Sequence, residues 1–252
     1  MLNNPTLNKV AAYPRQSEEA ASYKGIALKT LYFVGLTILA AIASFAGVNL
    51  AMQDPAGAGF DVLLIVMIVS TVGALVCGLI ASFAPRTVPV TGSLYAVFEG
   101  LAVGFLCCLF EAAYSGIIFA ALLSTVGVFA VMSVLYWTGV IRVGSFFRKF
   151  MISAMLGIVA VNLIILIVSL FSPVLWNLFY GNSVFGLGIS AVMVVFAALM
   201  LLTDFDQMTR IVENGMDKQY EWTAAYGLTL TLIYLFLRIL QLLARIFARS
   251  RN

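Results

Sequence analysis

The chain has 252 residues, 63% of them hydrophobic and 10% charged, with 14 Lys and Arg against 11 Asp and Glu, a formal net charge of +3 and a mean hydropathy of +1.07. So little polar surface cannot wrap a soluble core, which excludes a soluble domain and indicates an integral membrane protein. The complete lack of histidine excludes Ser-His and Cys-His catalysis, the common zinc sites and the usual imidazole pH switch, so any proton sensing falls to carboxylates.

Residues 1–26 are polar and contain no apolar stretch of the signal-peptide kind, so they read as a flexible tail in front of a membrane domain over 27–252. Seven apolar segments follow, at about 31–52, 60–83, 90–110, 116–138, 150–171, 185–203 and 222–246. Each is about as long as a bilayer-spanning helix, and none shows the ten-residue alternation of a barrel strand, so the fold class is all-α with seven transmembrane helices. QDPAGAG at 53–59, APRTVP at 84–89, EAAYSG at 111–116 and SPVLWNLFYGN at 172–182 supply the turns.

Lys9, Arg15, Lys24, Lys29, Arg86, Arg142, Arg148, Lys149, Arg210 and Lys218 fall on one side of such a bundle, while the loops at 53–59, 111–115 and 172–184 hold no Lys or Arg. The asymmetry places the N-terminus of a multi-pass protein in the cytoplasm, and the expected location is the cell (inner or plasma) membrane. A seventh full span carries Arg245, Arg249 and Arg251 to the far side, against this rule. Either the last helix is re-entrant or the six earlier spans outvote these arginines, and the second is preferred.

Ionisable residues at membrane depth are functional candidates by default. Glu99 lies about ten residues inside the third span, flanked by Gly100 and Gly104, which let another helix approach closely. It is either a pore-lining, proton-accepting carboxylate or a buried structural group held by a hydrogen bond or by Arg238. Glu111, at the end of the same span, reads as interfacial. Asn162, Gly73, Gly78 and Ser82 read as contacts between helices, and Cys77, Cys107 and Cys108 as small apolar residues. Asp204 and Asp206 stand where the sixth apolar run ends. Two positions apart on a helix, they point roughly 200° away from each other, so either one faces the bundle and the other the cytoplasm, or both belong to a solvated helix end before a loop. Arg238 lies sixteen residues past Trp222, deep enough that it either snorkels outward or finds a carboxylate.

An enzyme is not expected. The nearest approach to the motif of an intramembrane aspartyl protease is Gly186, Leu187, Gly188 and Ile189, with isoleucine where the aspartate is required. No cofactor, resident metal or nucleic-acid partner is indicated.

Taken together, GSLYAVFEGLAVGFL, YSGIIFAALLSTVGVFAVMSVLYWTGVIRV, FRKF, LLTDFDQMTRIVENG and EWTAAYGLTLTLIYLFLRILQLLA resemble the Bax inhibitor-1/YccA family, and a bacterial branch of it, over residues 91–246. LNKV near the start is similar to that branch's opening. The resemblance implies seven transmembrane helices with the last surrounded by the other six. It also implies a pH-sensitive calcium leak in which an aspartate at the cytoplasmic end of the sixth helix pairs with one in the seventh as a proton-sensitive latch. Asp204 matches the sixth-helix aspartate, with Asp206 the branch's second acid. The seventh-helix aspartate is missing: its place falls near Leu230, where only Thr229 and Thr231 are polar. Glu221 or Glu99 are candidate replacements. The expected partners are the lipid bilayer and Ca²⁺ or protons. The alternative is a non-conducting regulator whose tail docks on a membrane partner such as a membrane-anchored protease.

Overall fold

The structure, a computed structural model, describes residues 20–51, 58–171 and 184–250. The tail before residue 20, most of the 53–59 connection and the whole connection at 172–182 lie outside the described residues. Seven long helices fill the rest: α1 (Tyr23–Ala51), α2 (Ala58–Phe83), α3 (Val88–Ala113), α4 (Ile117–Trp137), α5 (Ser145–Ser169), α6 (Val184–Glu213) and α7 (Tyr220–Ser250). A short 3₁₀ turn, Pro85–Thr87, joins α2 to α3. All seven are long and apolar enough to cross a membrane, and no strand occurs among the described residues, so the protein is an all-α, multi-spanning membrane protein.

The helices overrun the apolar segments that announce them. α6 continues to Glu213, a full ten residues past Thr203, so Asp204 and Asp206 stand on a helix rather than in a loop. Apolar side chains such as Leu31, Ile65, Leu123, Ile164 and Val192 cover the outside of the bundle, as lipid-facing surfaces must.

Several buried threonines are satisfied locally. Thr30, Thr37, Thr125 and Thr229 each donate a hydroxyl hydrogen bond to the carbonyl four residues earlier in their own helix. α1 lies tightly along α3, because a Cβ at Gly100 or Gly104 would collide with the backbone carbonyl of Thr37 or Ala41. The expectation that these two glycines admit a neighbouring helix is met, and that helix is α1.

α7 buries more side chains than any other described helix, among them Leu228, Thr229, Thr231, Leu235, Phe236 and Leu240, and packs against α1, α3, α4 and α6. α5 sits at the periphery, burying Met151 and Ile165 alone. Between it and the α3, α6 and α7 faces there is open space.

Candidate functional site: the α6–α7 contact and the cavity beside it

Asp204 is turned towards α7. Phe205, next to it, packs on Phe129 and Tyr136 of α4 with ring centroids 5.8 and 5.6 Å apart, and this fixes the rotation of α6 that carries the carboxyl inward. Facing it on α7 is Thr231, a buried residue whose side chain interacts with the carboxyl. Oδ2 of Asp204 is shut away from solvent with no hydrogen-bond partner among the described residues, as is the hydroxyl of the preceding Thr203. No described Lys or Arg forms an ion pair with Asp204. Thr231 therefore occupies the place where the resemblance leads one to look for a second acid.

Asp206 points the other way, as helical geometry requires of a residue two positions on. It accepts from Arg210 one turn later at 2.8 Å, and the Nε of Arg148, near the start of α5, lies 3.8 Å from the same oxygen. Tyr136 donates to the Thr209 hydroxyl at 2.9 Å, so α4, α5 and α6 are joined at this end by polar contacts that leave Asp204 out.

Glu221 and Glu99 are both elsewhere. Glu221, in the first turn of α7, is 1% exposed. It accepts from the Ser22 backbone N–H at 2.8 Å and the Ser22 hydroxyl at 3.1 Å, and it is ion-paired with Lys29 of α1. Gly25 makes this possible, since a Cβ there would overlap the carboxylate. The Lys29 ammonium also lies 5.0 Å from the Trp222 ring centroid. Beside it the Ala21 N–H donates to the Met216 carbonyl at 2.9 Å. Glu221 thus clamps the start of α1 to the start of α7.

Glu99 opens into a cavity of about 610 Å³ between α3, α5, α6 and α7, within the size range of small-ligand sites. Tyr95, Asn162, Thr231, Tyr234 and Arg238 supply its other polar lining. Among the described residues Glu99 has no hydrogen-bond donor and no ion pair, and Arg238 does not reach it. Instead Arg238 donates to Gln241 at 3.1 Å and stacks 4.8 Å from the Tyr234 ring centroid. Thr231 belongs to both parts of the site, facing Asp204 while forming part of the cavity wall. Among the described residues no three Cys, Asp or Glu side chains gather into a metal-binding group.

Glu111, expected at an interface, bends back to cap the next helix, accepting from the Gly116 N–H at 2.6 Å and the Ile118 N–H at 3.2 Å. The Lys29–Glu221 clamp was not anticipated from the sequence. Its signal is weak: one lysine inside an apolar run and one acid in the first turn of a helix nearly two hundred residues later.

No curated protein matches the sequence. The family model for Bax inhibitor 1-like proteins matches residues 4–248, nearly the whole length and all seven helices. The chain belongs to the Bax inhibitor 1-like family.

Proposed function

We propose that the protein is a pH-responsive leak for cations, calcium foremost, across the plasma or bacterial inner membrane, with the clamp end of the bundle in the cytoplasm. One observation carries this reading. The cavity that holds Glu99, which has no ion pair among the described residues, is walled by Thr231, which faces Asp204, an acid likewise without a described ion pair. Glu99 offers the oxygen ligands that a hard cation prefers. Asp204 supplies the gate. While it carries a proton, the α6–α7 contact contains only neutral hydrogen-bonding groups and stays closed. Once it loses the proton, a full charge stands in an apolar contact with a single hydroxyl donor. That arrangement costs several kcal/mol unless water or a cation comes to it, and the nearest source is the cavity behind Thr231.

Here a hydroxyl and a carboxyl form the latch, in place of two carboxyls sharing a proton. Leak therefore rises as pH climbs through the Asp204 titration and falls in acid. The test is calcium flux into dye-loaded liposomes containing the full chain, followed across pH. Asp204→Asn, fixed in the neutral form, should give low flux that no longer varies with pH, and Glu99→Gln should lower flux at every pH. Flux that is absent from the unmodified protein, or unchanged in both variants, would sink the reading.

A further inference from the structure

A second recess, of about 350 Å³, adjoins the Glu99 cavity and shares Ile158, Asn162 and Arg238 with it. Its polar lining is Asn162, Ser190, Arg238, Gln241 and Arg245, with no acidic residue among the described ones. Arg238 is pre-positioned there by Tyr234 on one side and Gln241 on the other. Its bond to Gln241 is the only hydrogen bond that it makes among the described residues, and none of their carboxylates pairs with it. A guanidinium carries five N–H donors, so most of those on Arg238 remain for a ligand. Arg245, which donates to the Gly186 carbonyl, closes the same recess one to two turns further on.

Depth along α7 indicates what the ligand is. From Tyr220, Arg238 is about 27 Å and Arg245 about 37 Å along the axis at 1.5 Å per residue. A bilayer has a hydrocarbon core of about 30 Å and a thickness of about 40–45 Å with its headgroups. With the start of α7 at one interface, the two arginines flank the phosphate layer of the opposite leaflet. Val159, Leu163 and Leu166 of α5, on the rim of the joined spaces, are exposed and apolar. An arginine merely snorkelling to the surface needs neither a recess nor a ring and an amide to hold it in place.

We propose that this recess binds one acidic phospholipid from the leaflet at the C-terminal end of α7. The phosphate oxygens accept from Arg238, with the Arg245 charge close by, and an acyl chain lies along the α5 rim. A planar guanidinium suits this task because it meets two phosphate oxygens at once. The site stands apart from the leak reading and is tested without any flux measurement.

The experiment is native mass spectrometry of the full chain in detergent, titrated separately with phosphatidylglycerol, phosphatidylcholine and inorganic phosphate. The expected result is a single saturable phosphatidylglycerol adduct, weakened about tenfold or more in Arg238→Gln and unaffected in Arg249→Gln at the exposed helix end. Equal binding of phosphatidylcholine, or undiminished phosphatidylglycerol binding in Arg238→Gln, would overturn the proposal. Displacement of the lipid by millimolar inorganic phosphate would overturn the assignment to a lipid. Should Arg238→Gln fail to fold, Asn162→Leu, which fills the recess from α5, takes its place and is expected to show the same loss.

Discussion

Replacing Lys29 by methionine keeps the length and apolar stem of the side chain and removes its charge. Glu221 then remains 1% exposed with Ser22 as its only donor among the described residues. Breaking a buried pair by removing one partner costs about 3–5 kcal/mol, and the lower end applies because the Lys29 side chain keeps 15% of its exposure. Loss of the cation from the face of Trp222 adds about 0.5–1 kcal/mol. For a chain of this size roughly 3–4 kcal/mol lowers the melting temperature by about 6–16 °C. The assay is thermal unfolding of detergent-solubilised protein, with Lys24→Met on the exposed face of the same helix as control. Because most of the cost is a stranded carboxylate rather than a lost attraction, the double variant Lys29→Met with Glu221→Leu should regain most of the loss. A Lys29→Met transition within about 1 °C of the Lys24→Met control, or a double variant less stable than the single, would refute the reasoning.

Thr231→Val preserves shape and deletes the α7 hydroxyl that faces Asp204. Losing a hydrogen bond to a charged group costs about 1.5–3 kcal/mol, so the ionised state is disfavoured and the pH response of calcium flux in liposomes should move to higher pH. Gly104→Val should abolish recovery of folded, monodisperse protein on size-exclusion chromatography. Its side chain meets the Ala41 carbonyl, which cannot give way, and overpacking against backbone costs at least the usual 1–3 kcal/mol. Glu111→Ala uncaps α4, and a thermal unfolding series should show a loss of about 1 kcal/mol.

Periodicity and length made the seven helices legible, because a bilayer forces every span to satisfy its own backbone and to be apolar for about twenty residues. The same rule hides where a helix ends. α6 runs through Asp204 and Asp206 to Glu213 without an apolar signal to mark it, since past the membrane border a helix needs only its own hydrogen bonds. The opposed orientation of those two aspartates was readable for a similar reason, being fixed by the turn of a single helix. What could not be read is which side chains meet across helices, because that depends on rotation and tilt, set here by contacts such as Phe205 on Phe129 and Tyr136.

The residue opposite Asp204 makes the point in chemical terms. Glu221 was a reasonable candidate by charge, yet it lies at the start of α7, about ten residues and therefore roughly 15 Å along the axis from Thr231. It also has Lys29 and the first residues of α1 to satisfy it. Glu99 is an acid on another helix, and it opens into a cavity that Thr231 helps to wall and whose lining does not include Asp204. A threonine in the latch position changes the physics of the contact. Two carboxyls divide one proton and share its titration, so the response belongs to the pair. A carboxyl facing a hydroxyl titrates alone, and its single charge has no fixed counter-ion among the described residues. Under the proposed leak reading, water or a metal cation entering through the Glu99 cavity would stabilise the ionised state. A gate of this kind is coupled directly to the presence of the ion it admits. Raising external calcium should accordingly shift the pH at which flux begins to lower values in the unmodified protein, and should leave Asp204→Asn unmoved.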